Sequence, residues 1–139
     1  MGQQQILILV LSIVLVSVAV YIGIDFFGNL MRQRHADLLV NHGVHIASEA
    51  VTWRTKTTPF LGGGGTYSDL DTDGMEKLLM DDERLPGRFA ITRAVGDELE
   101  VTGVSTDFPE IGIRVYVEET DIVNTEIAYD GSITLPSPP

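Results

Sequence analysis

Alternating aspartates are the feature of this sequence that most directly suggests chemistry. They are Asp69, Asp71 and Asp73, and Gly74 follows them. Carboxylates at positions one, three and five with glycine at position six match the first half of a calcium-binding loop. Position twelve of such a loop holds a bidentate glutamate, but here it is Met80. Calcium is the one cofactor that the sequence suggests, and its site would need further carboxylates from Glu76, Asp81 or Asp82.

The same aspartates have a local structural alternative. Asp73 could cap the N-terminus of a short helix over residues 75–80, and Glu76, three residues later, would then complete a capping box. Both arrangements can coexist, so calcium binding and helix capping stay open as alternatives.

Two histidines provide a second metal-compatible spacing. His42 and His45, with Glu49 four residues further on, share part of one helix face, although such histidines are more often packed or solvated. The glycine run Gly62–Gly65 lacks the Lys-Ser/Thr pair of a phosphate-binding loop and is interpreted as a flexible connector. No Ser-His-Asp or paired-carboxylate pattern stands out, so the chain is predicted not to be an enzyme.

Composition and charge exclude several classes of site and partner. The 139 residues include no cysteine, which rules out disulfides, thiolate metal sites and a cysteine nucleophile. The net charge is −11, and a nucleic-acid partner is not expected because phosphate binding needs clustered Lys and Arg. Residues 1–60 contain four basic and three acidic side chains, whereas residues 61–139 contain five and seventeen. The sequence therefore predicts a nearly neutral N-terminal part and a strongly acidic remainder.

The N-terminal part contains an apolar segment long enough to cross a membrane. Ile6–Ile24 carries no charge, and the apolar segment extends through Phe26 and Phe27 with Asp25 as its one interruption by charge. As a helix rising about 1.5 Å per residue, residues 6–27 would measure roughly 33 Å, against about 30 Å for the hydrocarbon core of a bilayer. We predict a membrane-inserted helix over this range.

A cleavable secretory signal is the alternative for this segment. It would need a basic N-terminal region, a shorter apolar core and small residues at the cleavage site. Met1–Gln5 contains no Lys or Arg, and Ala19–Tyr21 is a poor cleavage site, so the segment is expected to be retained. An initiator methionine before glycine is usually trimmed, so Met1 followed by Gly2 suggests that a longer leader is cut just before Met1. N-terminal peptide mass spectrometry would test this expectation.

The helix is predicted to continue beyond the apolar segment. No proline occurs between Gly28 and Thr57, and apolar residues recur with a period near 3.6. They are Phe27, Met31, Leu38, Leu39, Ile46, Ala47, Ala50 and Trp53. Pro59 and the glycine run then end the helix. Gly23, Gly28 and Gly43 are points where it could bend.

From Arg88 onward the hydrophobic period changes to two. Apolar and polar residues alternate in four short segments, with turn signals at Gly96-Asp97 and Thr120-Asp121. This pattern predicts a four-stranded antiparallel meander with one apolar and one charged face, the apolar face being covered by the amphipathic half of the helix.

The predicted fold class is α+β, in three parts. A helix spans residues 1–58, apolar over 6–27 and amphipathic over 28–58. A glycine-rich and acidic connector with a short helix spans residues 59–86. The antiparallel sheet forms a head over residues 87–139.

This order of elements resembles that of type IV pilin-like subunits. The resemblance covers the whole chain in architecture, whereas its sequence signature is confined to the first fifty-odd residues. In that family the apolar helix anchors the subunit in the membrane until the pilus assembly machinery incorporates it. It then bundles with other such helices in the filament core, and the heads form the outer sheath.

The N-terminus differs from that of bacterial members of the family. Those usually carry a glutamate at the fifth mature position, which pairs with the N-terminal amine of a neighbour. Here that position is Gln5, Met1 is not aromatic, and there is no disulfide-bounded loop. A neutral N-terminus with Gln3 to Gln5 looks more like that of archaeal-type pilins, and these amides could form hydrogen bonds in place of the salt bridge.

The resemblance implies that the N-terminal helix carries the assembly residues. Those expected to contribute are Gln3, Gln4, Gln5, Ile6, Leu9, Ile13, Val16, Val20, Asp25, Phe26, Phe27, Arg32 and Arg34. A carboxylate at the end of an apolar run should be paired, solvated or neutralised. Asp25 is hypothesised to pair with Arg32 or Arg34 of an adjacent subunit, with a simple membrane-interface marker as the alternative.

The expected function is that of a structural subunit of an extracellular type IV pilus-like filament, a homo-polymer at the cell surface. Before assembly the subunit would reside in the inner or cytoplasmic membrane. The rival is a single-pass membrane-anchored accessory protein, and a pseudopilin of a secretion or uptake complex is intermediate between the two. A calcium-dependent adhesion module would add ligand binding to either.

Overall fold

The computed structural model describes residues 2–57, 62–71, 73–80 and 86–136. One helix, α1, runs over Gly2–Thr55 and is helical through all three glycines at which a bend was considered. A 3-10 turn, Ser68–Asp71, and a short helix, α2, Gly74–Lys77, come next. The chain forms two compact units, Met1–Gln33 and Arg34–Pro139, and α1 contributes to both.

Four strands form one antiparallel sheet, as the period-two pattern predicts. Their bounds are Gly87–Val95 (β1), Glu98–Ser105 (β2), Gly112–Glu118 (β3) and Asp121–Ala128 (β4). The spatial order is β1-β2-β3-β4, so each strand pairs with the one before it in the chain. The predicted α+β fold, a long N-terminal helix packed on a four-stranded antiparallel sheet, is confirmed.

Of the two turns predicted from the sequence, the one between β1 and β2 is at the predicted position, and the one between β3 and β4 is shifted by one residue. Gly96 and Asp97 connect β1 to β2, and Gly96 has a φ of 59°, a left-handed conformation that glycine adopts without strain. The second turn is formed by Glu119 and Thr120, one residue earlier than predicted, because Asp121 already pairs with Glu118 as the first residue of β4. Glu119 takes the left-handed conformation there, with a φ of 57°.

The core of the second unit lies between the C-terminal part of α1 and the sheet. The helix contributes one buried face, made of Ala36, Leu39, Gly43, Ile46, Ala47, Ala50 and Trp53. The sheet contributes mainly Phe89, Leu99, Val101, Ile113, Val115 and Val117. Three residues assigned to the apolar face by periodicity, Phe27, Met31 and Leu38, are 65%, 43% and 45% exposed and lie outside this core. Small residues on the helix face allow the helix to approach the strands closely.

Gly43 marks the place where helix and sheet approach most closely. A Cβ built on Gly43 would lie 2.5 Å from Ile113 Cδ1 and 3.1 Å from Val115 Cγ2. The sequence suggested a bending point at Gly43, but the structure gives this glycine a packing role inside a continuous helix.

Substituting Gly43 with alanine should therefore destabilise the second unit, although alanine is the better helix former. Overpacking a close-packed core costs about 1–3 kcal/mol, against a gain in helix propensity of about 1 kcal/mol. We expect a lower melting temperature for Gly43→Ala in circular dichroism of the detergent-solubilised full chain. Gly28→Ala is the matched control, because nothing lies within 4 Å of a Cβ at Gly28. Equal melting temperatures for the two variants would contradict the packing role.

The glycine run after α1 caps the helix and is not the flexible connector that the sequence suggested. The backbone N–H groups of Gly63, Gly64 and Gly65 donate to the carbonyls of Trp53, Lys56 and Arg54, at 3.0, 3.0 and 2.9 Å. Gly64 and Gly65 have φ angles of 60° and 95°, which side chains rarely adopt. These glycines satisfy carbonyl groups that the end of a helix leaves without partners.

Arg54 connects the end of α1 to the rest of the second unit. Its Nε donates to the Gly65 carbonyl at 3.0 Å, and its Nη2 pairs with the carboxylate of Asp97 in the β1–β2 turn. Its guanidinium also lies over the Tyr67 ring, 5.3 Å from the centroid. One side chain thus joins the glycine cap, the first hairpin and a core aromatic residue.

Candidate functional site

The N-terminal part of α1 exposes a long and largely apolar surface. The apolar side chains predicted to act in assembly are all more than half exposed: Ile6, Leu9, Ile13, Val16, Val20, Phe26 and Phe27. The helix is long and apolar enough to cross a membrane by length and composition, and none of its most apolar window is buried within the chain. A signal sequence would pass the same test of length and composition. An apolar surface of this extent needs lipid or protein to cover it.

Two serines interrupt this surface without adding unsatisfied polar groups. Ser12 Oγ donates to the Ile8 carbonyl and Ser17 Oγ to the Ile13 carbonyl, both at 2.8 Å. Hydroxyls bonded within their own helix are tolerated in hydrocarbon, because no donor is left without a partner. The polar residues in the segment are therefore compatible with its apolar surroundings.

The charged and amide residues predicted for assembly lie on the surface of α1. Gln3, Gln4, Gln5, Asp25, Arg32 and Arg34 are all exposed. The positions three and four residues from Asp25 on either side hold Tyr21, Ile22, Gly28 and Asn29. Asp25 therefore has no basic side chain one helical turn away with which to pair.

The acidic segment forms the 3-10 turn and α2, and Asp73 just before α2 has a left-handed backbone conformation. Asp73 lies at the N-cap position of α2 with a φ of 54°, but its side chain makes no capping hydrogen bond, so the capping box is wrong in this detail. Its carbonyl instead accepts from the Lys77 N–H at 3.0 Å, and Lys77 Nζ donates to the Asp69 carbonyl. In this segment the carbonyl groups of Asp69 and Asp73 accept the hydrogen bonds, whereas the capping box predicted an acceptor in the Asp73 side chain.

Calcium binding at Asp69, Asp71 and Asp73 stays a prediction. Among the residues that the structure describes, no group of three His, Asp or Glu side chains is arranged to hold a metal ion. Asp81 and Asp82, two of the three carboxylates considered for completing the site, lie outside the described residues. Within the described residues, His42, His45 and Glu49 do not form such a group either, and the His42 ring lies 6.3 Å from that of Phe89.

The outward face of the sheet carries a polar network that the sequence analysis did not identify. Thr92 Oγ1 bonds with Glu100 Oε1 at 2.6 Å and with Thr102 Oγ1 at 2.8 Å. On the neighbouring strands, Tyr116 donates to Glu126 Oε2 at 3.1 Å. Burial, followed by this bond to Glu126, raises the pKa of Tyr116. Cross-strand pairs can only be recognised once register is known, which explains why alternation alone did not predict them.

Tyr67 is the largest fully buried side chain among the described residues, and the sequence did not indicate its role. Its hydroxyl donates to the Glu119 carbonyl at 2.5 Å, which links the segment after α1 to the β3–β4 turn. Burial raises its pKa above 10.0, Asp97 adds to the increase, and Arg54 opposes it. Because the folded pKa is the higher one, the neutral tyrosine stabilises the fold below pH 10, and this contribution is lost as pH rises through the folded pKa.

Tyr67→Phe should lower the free energy of unfolding by about 1 kcal/mol at neutral pH, because the Glu119 carbonyl loses its donor. It should also remove part of the decline in stability that the wild type shows above pH 10. Urea unfolding of the solubilised chain at pH 7 and above pH 10 measures both effects. Tyr129→Phe, at a position that is 49% exposed, is the control and should change neither. An unchanged alkaline decline in Tyr67→Phe would count against the assignment.

Strand β4 differs from the other three strands in having no buried residue. The large apolar side chains on and just after it are Ile122, Val123, Ile127 and Tyr129, here called the β4 strip, with exposed fractions between 39% and 56%. Asp121, at the start of the strand, is exposed as well. The predicted apolar face is therefore covered on β1 to β3 and left open on β4.

A cleft of about 480 Å³ lies where β1 begins and β2 ends. Its lining includes Arg88, Val104, Pro109, Ile133 and Leu135, and we call it the Arg88 cleft. Ile133, in the segment after β4, packs directly over Gly112, where an added Cβ would lie 2.7 Å from Ile133 Cβ. The cleft is thus mostly apolar, with one arginine and the hydroxyls of Ser105, Thr106 and Thr134.

The elements described above define a pilin-like architecture, a long N-terminal apolar helix with a small four-stranded antiparallel sheet. None of the family models, curated proteins and solved structures compared with this chain matches it.

Proposed function

We propose that this chain is a structural subunit that polymerises through its N-terminal helix into an extracellular type IV pilus-like filament. The observation that carries the proposal is the contrast along α1. Between Ala36 and Trp53 one face of the helix is buried against the sheet, whereas residues 6–27 expose apolar side chains all round. A helix that is apolar all round must be covered by something outside its own chain.

Lipid and neighbouring copies of the helix are the two covers that suit such a surface. Moving the helix from lipid to a helix bundle gains little hydrophobic free energy, so packing and hydrogen bonds would direct assembly. Returning it to water is unfavourable, because each exposed Leu, Ile or Val costs about 1.5–3 kcal/mol relative to burial. A subunit could therefore exchange between membrane and polymer while the polymer stays intact in water.

The acidic second unit is consistent with an outer sheath. Seventeen of the twenty acidic residues follow residue 60, so charge and apolar surface are segregated along the chain. Charged surface remains solvated when apolar helices are packed together, and repulsion between the heads would be screened by salt.

Electron microscopy of sheared cell-surface material tests the proposal. We expect thin filaments that contain this chain as their main protein and that disappear when its gene is deleted. Recovery of the chain only from detergent-extracted membranes, with no filaments, would support the single-pass accessory protein in place of the filament subunit. Short assemblies that stay with the cell envelope would support the pseudopilin.

Asp25 offers a test of the interface inside such a polymer. If its carboxylate pairs with Arg34 of a neighbouring copy, Asp25→Asn should lower the filament yield, since breaking a buried ion pair costs about 3–5 kcal/mol. The double variant Asp25→Arg with Arg34→Asp should then restore filaments that each single charge reversal abolishes. Normal filament yield in Asp25→Asn would show that the residue only marks the membrane interface.

A further inference from the structure

The two edges of the sheet are not equivalent. At the β1 edge, the Tyr67 N–H donates to the Gly96 carbonyl at 2.8 Å, and Gly74 of α2 packs on Ile91, where an added Cβ would lie 2.6 Å from Ile91 Cδ1. At the opposite edge, within the described part of the chain, no element pairs with the outer side of β4. An open strand edge with an exposed apolar strip is a template for association.

Pairing of β4 with β4 of a second copy is disfavoured by charge. Asp121 and Glu126 are the charged residues of the strand, and both are acidic. A two-fold contact would place the same carboxylates of both copies along one interface, where like charges repel. A complementary surface must therefore be apolar and basic.

The Arg88 cleft has both properties. Its lining is mostly apolar, and Arg88 has no ion pair among the described residues, unlike Arg54, Arg93 and Arg114, which pair with carboxylates of the same head. Asp121 is likewise without an ion pair in the described part of the chain, whereas Glu126 bonds to Tyr116. In a chain with a net charge of −11, an arginine that has no ion pair within the described ranges and lies beside an apolar cleft is a specific complement to an acidic, apolar strand.

We propose that the β4 strip of one copy docks in the Arg88 cleft of the next copy, with Asp121 facing Arg88. The two surfaces are different patches of one molecule, so the contact is head-to-tail, and repetition produces an open chain of heads in place of a closed dimer. This inference rests on the proposed polymer and adds a contact between heads to the bundling of helices.

Disulfide cross-linking tests the contact directly, because the chain contains no cysteine of its own. Val123 lies in the β4 strip and Thr134 lines the cleft, and both are exposed. The full-length double variant Val123→Cys with Thr134→Cys, oxidised on intact cells, should produce a ladder of multimers on non-reducing gels. Each single variant should stay monomeric. In a head-to-tail contact, a residue of one copy does not lie next to the same residue of another copy, so two identical cysteines cannot form a disulfide.

A second cysteine pair controls for random collision. Glu49 is exposed on α1, so Val123→Cys with Glu49→Cys should give no ladder. A ladder from this control pair, or dimers from Val123→Cys alone, would overturn the proposed docking.

Charge reversal checks the pairing of Asp121 with Arg88. In the cross-linking background, Arg88→Asp and Asp121→Arg should each reduce ladder formation about fivefold, and the two together should restore it. Filaments seen without a ladder from the Val123–Thr134 pair would overturn this contact and leave the proposed function standing. A ladder without filaments would support the docking contact and overturn the proposed filament function. If neither a ladder nor filaments were seen, the contact and the function would both be overturned.

Discussion

A lysine in place of Ile13 is expected to prevent both stable membrane insertion and filament formation. Ile13 lies near the middle of the apolar segment and is 58% exposed. A charged side chain at the centre of a membrane helix costs about 2.5–3.5 kcal/mol, which is roughly a hundredfold in partitioning. In a helix bundle the same ammonium group would be desolvated without a partner. Resistance to alkaline carbonate extraction measures insertion, and the mass of sheared filaments measures assembly.

Two control variants show whether the effect comes from a charge within the apolar segment. One changes Ile13 without adding charge, and the other adds the charge elsewhere on the helix. Ile13→Leu keeps the apolar surface and should insert and assemble as the wild type does. Gln33→Lys adds the same charge outside the apolar segment, at an exposed position, and should also insert. Wild-type insertion and filament yield in Ile13→Lys would show that this segment is covered neither by lipid nor by other helices.

The second large effect is expected in the core of the second unit, between α1 and the sheet. Leu39 is fully buried on the sheet-facing side of α1, and a Cβ added at Gly87 would lie 2.7 Å from Leu39 Cδ2. Leu39→Ala removes most of this buried side chain and leaves a cavity, at a cost of about 2–5 kcal/mol. We expect a clear shift of the urea midpoint for the solubilised chain, together with loss of filaments if the head must be folded for export.

The adjacent residue provides the matched control. Leu38 belongs to the same helix and the same residue type, but it is 45% exposed. Leu38→Ala should change the free energy of unfolding by less than about 1 kcal/mol. Equal midpoints for the two variants would contradict the orientation of α1 on the sheet.

The fold could be predicted because its two periodicities are strong and lie in separate parts of the chain. A continuous apolar run predicts a helix whose surface is covered by lipid or by other chains. Alternation of apolar and polar residues from Arg88 onward predicts strands with one apolar and one polar face. The first hairpin was predictable from Gly96, because a left-handed turn residue has a specific chemical signature. These signals are local, so one sequence suffices to recognise them.

Features that depend on two distant segments meeting could not be predicted. Gly43 resembles any other glycine in a helix until Ile113 is found beside it. The same holds for Tyr67, whose partner is a carbonyl 52 residues away. Alternation also suggested that β4 is half buried like its neighbours, because periodicity indicates which side chains share a face but not how far a helix covers that face.

The assembly role of the N-terminal residues follows from the resemblance and stays a prediction, whereas the structure shows that these residues are exposed. The structure of one chain shows that the apolar part of α1 is exposed. The molecules that would cover it, lipid or other subunits, are not part of that chain. For the acidic segment, spacing suggested a capping box, and the structure shows the Asp73 carbonyl as the acceptor in place of its side chain. Calcium binding by the side chains of Asp69, Asp71 and Asp73 stays a prediction.

The meander order of the sheet has a consequence for how fast the head forms. Each strand pairs with its predecessor, and the three connections have two, six and two residues, so closing each pair costs little chain entropy. Folding rates rise as contacts become more local in the chain, and α1, which completes the core, is synthesised before any strand. The head should therefore complete its fold soon after β4 leaves the ribosome or the translocation channel. Rapid closure leaves little time for the open edge to aggregate with unfolded neighbours.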